Sequence, residues 1–186
     1  MITVGIDEVG RGCWAGPLVA GAVVLGSPLA GIKDSKQLTK IQREKLAAVI
    51  QSQSQAIGLG WVESTEVDEL GLTAAVGLAM RRALEQITIA YDEIIIDGNY
   101  NFFPENPKAR AVVKADASVA AVSAASIVAK VARDAYMADI ATTYPEYGFE
   151  QHVGYGTALH LEKLKLHGVT KLHRRSYKPV QALLAS

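Results

Sequence analysis

Residues 1–12 read MITVGIDEVGRG. Ile2, Val4 and Ile6 alternate with Thr3 and Gly5, the period-2 pattern of a short strand. That strand runs directly into two adjacent carboxylates, Asp7 and Glu8. Gly10-Arg11-Gly12 follows, an arginine held between two residues without side chains. A buried carboxylate is costly unless paired or bound to a metal, so two acids at a strand's end require a reason. Taken alone, the stretch also reads as a strand end turning in solvent, with Gly10 and Gly12 serving the turn. The rest of the chain has to separate these readings.

Working outward, Pro17 to Leu25 reads as a second strand, antiparallel to the first across a short connection. Thr39 with Gln42 three residues later forms a capping box. The helix it opens runs to about Gln53, with Ile41, Leu46, Val49 and Ile50 on its inner side. Ile57, Leu59 and Trp61 alternate in a third strand, Ala56 to Glu63. A short helix capped by Ser64 or Thr65 leads to an amphipathic helix from Leu72 to Ile87. Glu93 to Asp97, EIIID, is a fourth strand whose isoleucine run predicts burial on both faces. Ala111 to Lys114 is a fifth. Asp116 opens the longest helix, to about Thr143, dense in alanine and serine and ended by Pro145. A last helix from about Thr157 to His167 precedes a basic segment and a short tail. The pattern predicts an α/β fold: a five-stranded mixed sheet flanked by helices, with a helical C-terminal extension. Residues 1–143 form the main unit, and residues 144–186 pack on it as part of one domain.

The 186 residues are 49% hydrophobic and 20% charged, enough for one substantial core. There is no apolar run of membrane-spanning length and no positive region ahead of an apolar stretch, so neither a span nor a secretory signal is expected. One cysteine, Cys13, excludes an internal disulfide and suits a reducing cytoplasm, which is where the protein is expected. It reads as a buried filler. Net charge is zero, but its distribution is uneven. From Gly156 onward, Lys163, Lys165, Lys171, Arg174, Arg175 and Lys178 stand against the single acid Glu162, and the first 155 residues carry the balancing acidic surplus. All four histidines lie at the same basic end. An acidic centre beside a basic tail suits a metal-assisted site acting on a polyanion, although a solvated C-terminal helix shows the same asymmetry.

Three strands end at carboxylates: Asp7 with Glu8, Asp97, and Asp116 just past the fifth strand. Sites in α/β sheets gather where strand ends meet loops. Singly, Asp97 before Gly98 reads as a turn former and Asp116 as an N-cap. Together, four converging acids would repel one another unless cations held them, and such oxygen donors suit Mg²⁺ or Mn²⁺. Asp134 lies 18 residues beyond Asp116, roughly 27 Å along a continuous helix, too far for both to serve a two-metal site. Asp116 is the better candidate.

GIDEVGRG, DSK, IIIDGN, VVKAD, SAASIVAKVARD, HVGYGT and HRRSYKP, in that order, resemble the type 2 ribonuclease H family in its bacterial ribonuclease HII form. The resemblance covers nearly the whole chain. It implies a ribonuclease H-like fold and a metal-dependent endonuclease. The implied reaction cuts RNA paired with DNA and nicks DNA 5′ of embedded ribonucleotides, leaving 3′-hydroxyl and 5′-phosphate ends. The implied metal-binding and catalytic acids are Asp7, Glu8, Asp97 and Asp116, with Mg²⁺ or Mn²⁺ as the ion. Gly10, Arg11 and Gly12 fall on the family's motif that reads the ribose 2′-hydroxyl, largely through the backbone. Tyr155 falls on the tyrosine that packs on the neighbouring deoxyribose. Lys36, Arg174 and Ser176 fall on phosphate contacts. Tyr144, Tyr147 and Tyr177 read as aromatics covering the core. The implied partners are RNA–DNA hybrids or DNA duplexes containing ribonucleotides, met by a monomer and not by a membrane protein.

Two departures stand out. Cys13-Trp14 replaces a more usual Pro-Leu, where only packing should change. Val153 replaces a common lysine, which implies one phosphate contact fewer. No segment precedes the first strand, so the N-terminal substrate-binding domain of ribonuclease HIII relatives is not expected. Actin-like sugar and acetate kinases also open with a strand and Gly-Ile-Asp, but they need a second nucleotide-binding lobe. A resolvase on the same fold would share the acids without needing Gly10-Arg11-Gly12 and Tyr155.

Overall fold

The computed structural model of the protein describes residues 1–29, 31, 32 and 38–185. Five strands, β1 (Thr3–Val9), β2 (Leu18–Leu25), β3 (Ser54–Val62), β4 (Glu93–Asp97) and β5 (Ala109–Val112), form one sheet in the order β3-β2-β1-β4-β5. β1 pairs antiparallel with β2 and parallel with β4; β2–β3 is antiparallel and β4–β5 parallel. The sheet is mixed and five-stranded, as the strand pattern predicts. Eight helices are described: α1 (Lys40–Gln53), α2 (Ser64–Leu70), α3 (Leu72–Leu84), α4 (Ala115–Ser118), α5 (Ala120–Thr143), α6 (Phe149–His152), α7 (Ala158–His167) and α8 (Lys178–Leu184).

The helices cover both faces of the sheet because small residues let them lie close. A Cβ on Gly5 of β1 would fall 2.1 Å from the Ala121 carbonyl carbon, so the backbone of α5 rests directly on the strand. On the opposite face, α3 buries Ala75, Val76, Ala79, Met80 and Ala83 against Val4, Ile6, Leu18, Ala20, Ile94 and Ile96. Beside α5, α1 contributes Ala47 and Ile50 to a second cluster with Val23, Ala124, Ile127 and Val128.

A third cluster joins the end of the chain to its beginning. Phe149, Leu164 and Leu172 pack with Tyr147 on Met137 and Ala141 of α5 and on Ala15 of the β1–β2 connection.

Several elements differ from the sequence reading. Thr39 and Gln42 form the expected capping box, but α1 buries only Ala47 and Ile50, whereas Ile41 and Val49 face solvent. Asp116 does not open the long helix. It sits in α4, and Val119 takes an extended conformation (φ −112°, ψ 110°) that separates α4 from α5. The tail after the basic segment folds into α8, with Pro179 in its first turn.

Candidate active site

The parallel β1–β4 ladder pairs Ile6 with Ile96, so the next residues, Asp7 and Asp97, lie side by side where the two strands cease to pair with each other. Asp116 joins them through its backbone: its N–H donates to Asp97 Oδ1 at 3.3 Å. Ser123, one turn into α5, donates its hydroxyl to the Asp116 carbonyl and thereby bridges the break at Val119. Glu8 lies one residue along β1, and Arg11 Nη1 reaches its Oε1 at 3.0 Å. The four acids therefore approach in pairs: Asp7 beside Asp97, Asp97 with Asp116, and Glu8 with Asp7. As the side chains stand, no group of three or more His, Cys, Asp or Glu among the described residues closes around a metal position.

Electrostatics mark Asp7 above the others. Burial first, then the negative charges of Glu8 and Asp97, push its carboxyl up to about 8. A hydrogen bond from Ser126 and the Glu8 N–H, 2.8 Å from Oδ1, pull the other way without compensating. No cation is among these influences. Burial also raises Glu8, opposed by the guanidinium of Arg11.

Beside the acids, three segments far apart in sequence are laced together. Trp14 N–H and Ala15 N–H both donate to the Gly154 carbonyl, Arg174 N–H donates to Trp14, and Gly16 N–H to Leu172. Two fully buried arginines hold this assembly from beneath. Arg133 of α5 donates to the carbonyls of Pro17 (2.8 Å), Val153 (2.7 Å) and Ala15 (3.0 Å). Arg174 donates to Gly16 and Arg11 and to the Tyr177 hydroxyl, which itself donates to the Arg11 carbonyl at 2.5 Å. Above them stand Arg11 and Gly12, both exposed, and the ring of Tyr155, 39% exposed with Lys130 Nζ 5.5 Å from its centroid.

Not every sequence candidate stands free to meet a substrate. Arg174, read as a phosphate contact, is wholly buried, and its guanidinium lies on protein carbonyls. Ser176 gives both its hydroxyl (2.6 Å) and its N–H (2.9 Å) to Asp68 Oδ1. Lys36 lies outside the described residues. Asp134 pairs with Lys130 at 2.7 Å. Tyr147 is buried as a core aromatic, but Tyr177 does more, since its hydroxyl ties down Arg11.

Four residues escaped the sequence reading: Ser123, Ser126, Arg133 and Asp68. Ser123 and Ser126 share one face of α5 at i, i+3 spacing, a signal that small-residue packing masks.

The model of the family described as Ribonuclease HII matches residues 4–180. The chain belongs to the ribonuclease HII family. It is thus an enzyme of the type 2 ribonuclease H class. A curated ribonuclease HII from Marinomonas sp. (strain MWYL1) is 49% identical over 183 residues, covering 97% of this chain and 92% of the relative. The crystal structure of ribonuclease H2 from Pyrococcus horikoshii OT3 superposes with a TM-score of 0.84 at 30% identity, over 98% of this chain and 97% of that one. That of Bst-RNase HIII in complex with Mn²⁺ gives 0.76 at 19% identity, over 100% and 70%, a likeness of fold.

Proposed function

We propose that the protein hydrolyses the RNA strand of RNA–DNA hybrids and nicks duplex DNA on the 5′ side of embedded ribonucleotides. It does so as a cytoplasmic monomer acting in ribonucleotide removal, and leaves 3′-hydroxyl and 5′-phosphate ends. The observation that carries the reading is the placement of Asp7 beside Asp97, with Asp116 joined to Asp97, next to an exposed Arg11-Gly12 turn.

The donors fit a divalent metal by their chemistry. They are hard oxygens from three chain segments, and the influences on Asp7 include no cation. Asp7, Glu8, Asp97 and Asp116 would hold Mg²⁺ or Mn²⁺, the latter being the ion in the Bst-RNase HIII complex. Bound there in pairs, such ions supply a water of lowered pKa and stabilise a leaving 3′-oxygen. The protein's own groups do the rest. Ser126 and the Glu8 amide orient the Asp7 carboxyl, and Asp97 anchors the Asp116 backbone.

Discrimination rests on Gly10-Arg11-Gly12 and Tyr155. A Cβ on Gly12 would meet no protein atom within 4 Å, so the fold itself does not require glycine there. A sugar approaching the backbone closely does. Arg174, Arg133 and Tyr177 serve as struts that keep this turn in place, and Ser176 with Asp68 fixes the basic segment. The extension from residue 144 acts as part of the same unit through its shared core with Ala15 and α5.

The test is a DNA duplex with one ribonucleotide, incubated with Mg²⁺, Mn²⁺ or EDTA and mapped on a sequencing gel. A single nick 5′ of the ribonucleotide, lost in EDTA, is expected. Equal cutting of an all-DNA duplex would overturn the reading in favour of a resolvase.

A further inference from the structure

Three histidines, His152, His160 and His173, are buried together behind Tyr155. His152 and His160 stack at 4.2 Å with their planes 13° apart, and Phe149 and Trp14 flank them. Imidazoles in an aromatic core carry a desolvation cost that hydrocarbon side chains of similar size would not. Their polar atoms therefore call for an account.

The hydrogen bonds settle where each proton sits. The Thr170 N–H lies 3.0 Å from His173 Nδ1, and an amide can only donate, so that nitrogen is an acceptor. The proton of neutral His173 is then on Nε2, facing His160 Nε2 at 3.1 Å. His160 accepts there and donates from Nδ1 to the Tyr155 carbonyl at 2.9 Å. His152 closes in the same way: Gly154 N–H donates to its Nδ1, and its Nε2 donates to Tyr147. A one-way chain thus runs from Thr170 through His173 and His160 to the backbone of Tyr155. Burial lowers all three histidines below their ordinary range, His160 to about 4 and His173 to about 3, which keeps the chain neutral near pH 7.

We infer that His160 is a positioning residue for Tyr155, its Nδ1–H fixing the peptide from which the ring projects toward the nucleic acid. This rests on the proposed reading of Tyr155 as a substrate contact. The Tyr155 N–H is held by the main-chain carbonyl of His152 at 2.8 Å, and its carbonyl takes the Thr157 N–H at 2.9 Å, so His160 adds the one side-chain bond to a peptide that the turn already places. Among the described residues the ring itself touches Cys13 and the nearby cations of Lys130 and Arg133. Its attitude follows from the backbone.

Two polar substitutions separate this role from a merely structural one. Asn at 160 places an amide donor where Nδ1 stood, keeping the bond to Tyr155 while losing His173. Gln reaches the Nε2 position, keeping His173 while losing Tyr155. On the single-ribonucleotide duplex, His160→Gln should raise KM about fivefold, the worth of one hydrogen bond, with kcat within twofold. His160→Asn should keep the wild-type KM while its melting temperature falls. A role in stability alone removes active molecules and lowers kcat at constant KM. Independently, imidazole ¹⁵N NMR of the wild type should place the His160 proton on Nδ1 and the His173 proton on Nε2. Equal KM values in both variants and the wild type, or a His160 proton on Nε2, would overturn the inference alone. If the wild type cuts no ribonucleotide-containing duplex, the reading of Tyr155 falls and this inference with it.

Discussion

Asp7 and Asp97 stand beside each other because Ile6 and Ile96 are register partners on adjacent parallel strands. The ladder that holds β1 to β4 keeps their α-carbons together. Burial first, then the charges of Glu8 and Asp97, push the Asp7 carboxyl up to about 8, and the repulsion from Asp97 is built into the sheet. Such a site is stable without cations only in part-protonated form.

That makes Asp7→Asn a sharp test. Asn keeps the shape and cannot ionise, so the metal-free variant should melt no lower than the wild type. Cleavage should fall by about a thousandfold or more, because the donor is lost. Full nicking activity in this variant would remove Asp7 from the chemistry. Calorimetry and gel-based kinetics on the same preparation give both answers.

Gly10 and Gly12 should behave oppositely. At Gly12 an added methyl meets only solvent, so Gly12→Ala should match or exceed wild-type stability, by up to about 1 kcal/mol. Its cleavage of a ribonucleotide-containing duplex should nonetheless drop at least about tenfold. Gly10 has φ +93°, and a Cβ there would lie 2.6 Å from Arg133 Nε. Gly10→Ala should therefore lower the melting temperature outright. Denaturant titration of the two variants side by side distinguishes a reader of substrate from a support of the fold.

How much of this was legible in the sequence follows from the range of each interaction. The strands and the acids at their ends can be read locally, since alternation and the IIID run are properties of a few neighbouring residues. The break at Val119 cannot. The stretch ADASVAAV carries no breaker, and the break is held by tertiary contacts from Asp97 and Ser123 to Asp116. Arg133 and Arg174 were opaque for the same reason. They look like solvent-facing charges, yet their carbonyl partners lie 116 and 158 positions away. Ile41 and Val49 failed in reverse: helical spacing alone does not say how wide a face is covered.

Arg174→Lys tests the strut. A lysine ammonium cannot reproduce the fork that serves Gly16, Arg11 and Tyr177 together. Losing these charge-assisted bonds should cost about 2–4 kcal/mol, read by denaturant unfolding, although Ser64 still donates to the Gly16 carbonyl and Tyr177 to that of Arg11. Substrate affinity should weaken in the molecules that remain folded, because the Arg11 carbonyl loses one of its two anchors. A variant as stable as the wild type would mean that Tyr177 alone suffices.

Val153 sits at φ +43°, where a β-branched side chain is strained. Val153→Asn should relieve this and add about 1 kcal/mol of stability. Val153→Lys should instead show itself in binding. If the new cation meets a phosphate, the slope of log affinity against log salt steepens by about 0.9. An unchanged slope would mean that the side chain points away from the duplex.

The buried histidines give stability a pH dependence whose sign can be worked out. His160 and His173 are neutral in the fold, with values of about 4 and about 3 against an ordinary 6.5. Their largest charged neighbours are one another and His152, with Glu150 acting on His152. Between pH 6.5 and 4 the unfolded chain binds more protons than the folded one, so folding weakens as pH falls. The stability is whole above pH 6.5, and by pH 4 each of the two histidines has cost on the order of 3 kcal/mol. Asp7 runs the other way. Its raised value stabilises the metal-free fold as pH drops from about 8 toward 4. The raw profile mixes both, and a difference isolates the histidine. His160→Asn cannot take up a proton at that site, so its stability deficit at pH 7 should shrink steadily toward pH 4. Parallel urea titrations at half-unit pH steps read it directly. A deficit constant across that range would show that His160 does not set the acid limb.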